Sequence, residues 1–273
     1  MMGIKKYFAF AKWSMVLAAV TFSARADAGI VGLWEFNDSA NIGKATLGTD
    51  LLIAGTAPAW SASRTYGGNT LNGVIDTVVG VPNNLIATHG IAPNGGGANV
   101  NQYSMLFDIR RPDTAEWRSL FQTNTANIND GDYFVRDSDS RLGVGALGYT
   151  TYSMPANTWI RLVITSDLAT GDYRTYVDGV LQLAHTATPV DGRHSFSPTV
   201  LLFGDEDGEN GLLSVGAVAI WDQSLAASQV TSLGIAGGAI IAVPEPSSCI
   251  LAGVVGVGFV VTRLRRRKTI RHA

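Results

Sequence analysis

The densest run of potential ligand atoms is GDEDGENG, which places Asp205, Glu206, Asp207 and Glu209 on a glycine-rich stretch. Clustered carboxylate oxygens suit Ca2+, which takes about six to eight oxygens in adaptable geometry. NINDGDY adds Asn129, Asp130 and Asp132. Both groups are expected at strand ends, where they could share one rim, so the candidate calcium set is Asp205, Asp207, Glu209, Asn129, Asp130 and Asp132. The spacing is not that of an EF-hand loop. The same carboxylates alternate, and in an extended strand Asp205, Asp207 and Glu209 would point one way, as the paired acids of a glycosidase must. Gly208 weakens such a strand, and nothing else in the chain supports hydrolysis, so the expectation is a protein without catalytic activity.

The four histidines, His89, His185, His194 and His272, show no metal-ligand spacing, and His194 in DGRHSF reads as a loop residue. The only cysteine is Cys249, near the C-terminus, so the body forms no internal disulfide and has no thiolate zinc site. Neither a P-loop nor a G-x-S-x-G motif is present. Aromatic faces remain as platforms for sugar rings. Trp34, Trp159 and Trp221 sit inside apolar runs and belong to the core, whereas Trp60, Trp117, Tyr149 and Tyr152 lie near expected turns and are the candidate glycan contacts.

The elements that must position these residues are strands. Short β-branched and aromatic runs recur between Gly, Asn and Asp turns, and predict strands over 29–36, 103–110, 118–123, 132–137, 141–147, 159–167, 173–179, 180–186, 199–205 and 214–222. In WIRLVITSD, Ile160, Leu162 and Ile164 face the core and Trp159, Arg161, Val163 and Thr165 the opposite side. Asp178-Gly179 and Thr170-Gly171-Asp172 supply hairpin turns. One helix is expected over 224–234, and Asn94 to Gln102 reads as a long connection. Strands without βαβ rhythm predict an all-β fold, an antiparallel two-sheet sandwich.

The ends read differently from the body. Lys5, Lys6 and Lys12 precede MVLAAVTFSA and small-x-small sites ending at Ala26 and Ala28, the layout of a secretory signal peptide over 1–28. Pro244, Glu245 and Pro246 precede a marginal apolar span and then Arg263, Arg265, Arg266, Arg267, Lys268 and Arg271. Setting the two ends aside leaves ten basic residues against 20 acidic ones, a net charge of about −10 hidden inside a whole-chain value of −2. Such a body argues against nucleic acid or anionic lipid as a partner.

Two resemblances follow. The order PEP turn, apolar span and basic end over 244–268 resembles the PEP-CTERM sorting signal of Gram-negative bacteria. That likeness implies an exosortase-type processing enzyme as a partner, transient anchoring through one C-terminal transmembrane helix, and export to the cell envelope, surface or extracellular matrix. GLWEFND, YSMLFDIRRP, NTWIRLVITSD, YVDGVLQ and VGAVAIWDQSLAASQVTSLG together look like a laminin G-like (LamG) domain of the concanavalin A-like jelly-roll superfamily over 29–235, with 236–243 as a flexible linker. The pattern departs from that family at the helix start, where Ala226 stands in place of a Ser or Thr cap and Gln229 in place of an acid. The resemblance implies a binding module for exopolysaccharide or another glycan. A structural surface protein and a jelly-roll glycoside hydrolase are the alternatives.

Overall fold

In the computed structural model, residues 28–80, 84–126, 133–186, 189–205 and 208–240 are described. They form two antiparallel sheets packed face to face and one short helix, α1 (Ala227–Leu233). The first sheet contains β1 (Ile30–Trp34), β3 (Ala59–Tyr66), β4 (Asn69–Asp76), β6 (Gln102–Arg110), β11 (Ile160–Asp167), β12 (Asp172–Val177), β13 (Val180–Thr186) and β15 (Ser214–Trp221). Its order is β13-β12-β11-β6-β15-β4-β3, with β1 paired to the other end of β15. The second sheet contains β2 (Leu52–Ala54), β5 (Asn84–Thr88), β7 (Arg118–Gln122), β8 (Tyr133–Val135), β9 (Arg141–Val144), β10 (Gly148–Ser153) and β14 (Thr199–Leu202). They run in the order β10-β9-β8-β7-β14-β5-β2. The expected all-β, two-sheet jelly-roll sandwich is therefore the fold.

Five of these strands, β2, β3, β4, β5 and β10, are absent from the sequence reading, which gives ten where the described residues contain fifteen. AWSASRTY and NTLNGVID carry Ser, Asn and Gly at the edge of a sheet, where half-exposed positions do not demand β-branched residues. The expected strand at 141–147 ends at Val144, and a turn then returns the chain as β10.

Phe107, Phe121, Tyr133 and Phe196 stack between the sheets and fill the interior. The first sheet is also covered on its outer face. Along β11, Ile160, Leu162 and Ile164 face the interior, while Val163 packs with Leu106, Tyr176 and Trp221 beneath Leu225, Val230 and Leu233 of the helical segment. Burying each of those three side chains contributes roughly 1.5–3 kcal/mol. Gln229 Oε1 accepts from the Ala226 N–H at 2.8 Å, one half of a capping box that tolerates the missing Ser or Thr.

The expected linker at 236–243 is held to the sheet as far as it is described. Asn69 donates to the Ala236 carbonyl, Gly237 N–H donates to Asp108, and Ile240 packs beside the helical cluster. No helix among the described residues is long and apolar enough to cross a membrane. The signal-peptide segment up to residue 27, and Pro244, Glu245, Pro246 and the span behind them, lie outside the described residues.

The glycine-rich connection NGGGANV is a built feature. Asp191 accepts from the N–H groups of Ala98 and Asn99 and from Asn101 Nδ2, at 2.7, 2.9 and 3.0 Å. A Cβ on Gly97 would sit 2.3 Å from Asp191 Oδ1, an atom of a carboxylate that three donors hold in place. Gly97→Ala is expected to lower stability by about 1–3 kcal/mol. A urea midpoint unchanged from the parent would contradict that placement.

Candidate carbohydrate-binding face

The outer face of the second sheet carries the strongest constellation. Tyr133 reaches across the interior to bond Thr175 of the opposite sheet, so alternation turns Phe134 outward. Register then aligns Ser119 with Phe134, Phe134 with Gly143, and Gly143 with Tyr149 across four strands. Gly143 has no alternative, because a Cβ there would lie 2.2 Å from the Gly148 carbonyl oxygen. Trp117 lies beside this row, edge-on to Phe134 at 5.7 Å and tilted against Tyr149 at 6.4 Å between ring centroids. Trp117 and Tyr149 are both half-buried and so keep part of their surfaces in solvent.

Charged groups ring this patch. The Arg136 guanidinium lies 4.2 Å over the Tyr149 ring and is held by a two-point contact with Asp139, which also pairs with Arg141 at 3.3 Å. Arg136 draws the Asp139 carboxyl down to about 2. Burial pushes the Tyr149 hydroxyl up, and the negative charges of Glu209, Asp139 and Asp137 add to that rise. Arg118 positions the Trp117 segment. Its fully buried guanidinium donates to the carbonyls of Thr114, Glu116 and Leu212 and to Thr114 Oγ1.

The acidic loop borders the same face, but not as an extended strand. Gly208 and Glu209 turn back so that their N–H groups donate to the Asp205 carbonyl and Asp205 Oδ2, both at 3.4 Å, while Ser119 N–H donates to the Glu209 carbonyl at 2.7 Å. Gly208 takes φ of 82°, outside strand geometry. The described part of the loop, Asp205, Gly208 and Glu209, is thus a turn rather than an extended strand.

Asp205 is also tied to β7 by Gln122 Nε2 at 2.9 Å, leaving the buried Gln122 Oε1 without a partner. Both Asp205 oxygens already accept hydrogen bonds, and among the described residues no group of three or more His, Cys, Asp or Glu could hold a metal. Asp207, Asn129, Asp130 and Asp132 lie outside the described residues.

The structure brings together two of the four expected glycan aromatics. Trp60 belongs to the other sheet, where its Nε1 donates to the Phe36 carbonyl at 2.7 Å. Tyr152 packs against the main core, and burial pushes its hydroxyl up to about 12. Trp34 and Trp221 are fully buried as expected, and Trp159 packs with Leu71, Val74 and Ala236. His194, read as a loop residue, is fully buried. Phe134 and Arg136 complete the patch and escaped sequence reading. The signal that could have found them is the alternation of YFVR, once Tyr133 is known to point inward.

No family model and no curated protein sequence matches this chain. Solved structures do. Domain 4 of AbnA, a GH43 extracellular arabinanase from Geobacillus stearothermophilus, in complex with arabinotriose, aligns with a TM-score of 0.50 at 16% identity over 77% of this chain and 100% of that one. The binding domain of botulinum neurotoxin DC in complex with rat synaptotagmin II aligns at 0.53, with 13% identity over 75% of this chain and 51% of that one. The botulinum neurotoxin serotype D binding domain gives 0.51, with 14% identity over 74% of this chain and 50% of that one. This chain thus spans about half of the neurotoxin chains it matches. At these identities the likeness is one of fold, and the fold is the jelly-roll β-sandwich.

Proposed function

We propose that the protein is a non-catalytic, LamG-like carbohydrate-binding module, exported and displayed at the cell surface or in the extracellular matrix, whose ligand is exopolysaccharide or another glycan. The observation that carries this reading is the pair of half-exposed rings Trp117 and Tyr149, packed about the buried Phe134 on the outer face of the second sheet and bordered by Arg136 and Asp139. Two half-exposed rings beside hydrogen-bonding groups can stack on the C–H face of a sugar and fix its hydroxyls. The neighbouring fold that holds arabinotriose makes that trisaccharide the first probe.

Trp117→Ala is expected to weaken binding to the best ligand of a glycan panel by at least about tenfold, read by calorimetry. Retained affinity in both Trp117→Ala and Tyr149→Phe, with the fold intact by circular dichroism, would sink the assignment to this face. The PEP-CTERM-like tail supports an exosortase-type enzyme as processing partner and transient membrane attachment before release. Mass measurement on protein recovered from the host tests this, because an intact arginine-rich terminus contradicts processing.

A further inference from the structure

A second polar site lies on the opposite side of the sandwich. On the outer face of the first sheet, register aligns Gln102, Asp167 and Asp172 in one row and Ser104, Thr165 and Arg174 in the next. The third row, Leu106, Val163 and Tyr176, is covered by the helical segment. Where that cover stops, residues 223–229 wall a cleft of about 220 Å³ whose floor is Gln102, Thr165, Asp167, Asp172 and Arg174.

Asp167 is the informative residue. It is only 8% exposed, yet its carboxylate makes one hydrogen bond, Oδ1 accepting from Ala169 N–H at 3.1 Å. Oδ2 has neither a hydrogen bond nor an ion pair among the described residues. The nearby guanidinium of Arg174 is engaged by Asp172 at 3.0 Å instead. That oxygen keeps its access to the cleft, so it is an acceptor open to a donor carried by a ligand. Around it stand the amide of Gln102, the Thr165 hydroxyl and the remaining N–H groups of Arg174. No aromatic ring lines the cleft.

We infer that this cleft is a binding site for one ring of a neutral, hydroxyl-rich ligand, a sugar unit whose vicinal hydroxyls donate to Asp167 and accept from Arg174 and the Gln102 amide. The volume falls below the roughly 300–1,000 Å³ that encloses drug-sized ligands, which restricts occupancy to about one ring. An anionic sugar is disfavoured because its charge would approach the unpaired carboxylate. This site goes beyond the aromatic face and stands without it. With both occupied, one domain would bridge two glycan segments from opposite sides.

Amide chemical-shift mapping with glucose, galactose, mannose, arabinose and glucuronate tests the inference. At least one neutral sugar is expected to shift the amides of Gln102, Thr165, Asp167 and residues 223–229. Asp167→Asn, which keeps the acceptor for Ala169 N–H, is expected to weaken that response about tenfold or more. Thr165→Val, isosteric and hydroxyl-free, checks the same floor with a second residue. Absence of shifts there with every sugar, shifts indifferent to Asp167→Asn, or glucuronate bound as well as the neutral sugars would each overturn it. Shifts around Trp117 and Tyr149 report on the aromatic face separately, so either site can fail alone.

Discussion

Arg161→Leu is expected to cost the domain about 3–5 kcal/mol and to release the segment from Leu233 to Ile240 from the outer face of the first sheet. Arg161 is fully buried on β11, and its Nε and Nη2 donate to the two oxygens of Asp108 at 2.8 and 2.7 Å. Its remaining donors reach the carbonyls of Leu233 and Gly238, while Gly237 N–H donates to Asp108 Oδ2 at 2.9 Å. The pair thus satisfies backbone groups on the chain that crosses above it. Removing the guanidinium leaves a buried carboxylate without its countercharge and two carbonyls without that donor, a larger penalty than the pair's own net contribution. Leucine refills part of the volume but none of the hydrogen bonds.

The readouts are the urea midpoint and the exchange rate of the Gly237 amide. Replacing both partners by leucine is expected to restore part of the lost stability, since no uncompensated charge then remains. A loss below about 1 kcal/mol with Gly237 still protected would show that apolar packing alone holds the segment.

The same segment shows what sequence reading could and could not reach. IAGGAI has the composition of a flexible lead, and only the partners of Gly237 and Gly238, more than 70 positions away on β6 and β11, reveal that it is clamped. Long-range hydrogen bonding leaves no local trace. The alternation in WIRLVITSD did assign the two faces of β11, but alternation cannot say that both are covered. In contrast, the β3–β4 hairpin was legible and passed over. Tyr66-Gly67-Gly68-Asn69 contains a two-residue glycine turn with φ of 58° and 79°, a strong hairpin signal between strands too polar to be noticed alone.

Among the site residues, Trp117 and Tyr149 were found by type, because aromatics beside turns are often accessible. Trp60 and Tyr152 have the same local context and were separated from them only by pairing partners. Asp167 was invisible as a site residue, since the final Asp of WIRLVITSD looks like any polar strand end until the surrounding cleft is seen.

Stability is expected to fall as the pH drops from about 6.5 to about 4, before the depressed carboxyls of Asp139 and Asp191 titrate. His194 is fully buried, with the Tyr173 ring edge-on at 5.4 Å and the cationic Arg193 adjacent in sequence; its own carbonyl accepts from Tyr103. Burial, and secondarily the Arg193 charge, bring its imidazole down to about 4 from 6.5. His89 is shifted the same way by burial. Its Nδ1 accepts from Ile91 N–H at 3.1 Å, which assigns the ring proton to Nε2 facing the Ser197 carbonyl at 2.6 Å. A second proton on His89 would break the Ile91 bond.

For a base whose folded pKa is depressed, the unfolded chain binds a proton that the native state refuses. Stability is therefore fully present above about pH 6.5, declines through the window, and levels off below the folded value. His194 alone accounts for a loss on the order of 3 kcal/mol, and His89 adds in the same direction. The depressed carboxyls of Asp139 and Asp191 lose their contribution only as pH falls below about 4, whereas burial raises the carboxyls of Asp108 and Asp178, whose proton uptake in the native state opposes the histidine loss. Urea midpoints taken from pH 7.5 down to about 4 should follow this curve, and His194→Gln should flatten it whatever its effect on absolute stability. A parent curve flat between 6.5 and 4 would mean that His194 protonates equally in both states, and with that the buried, neutral imidazole packed against Tyr173 would be lost as a description of this part of the core.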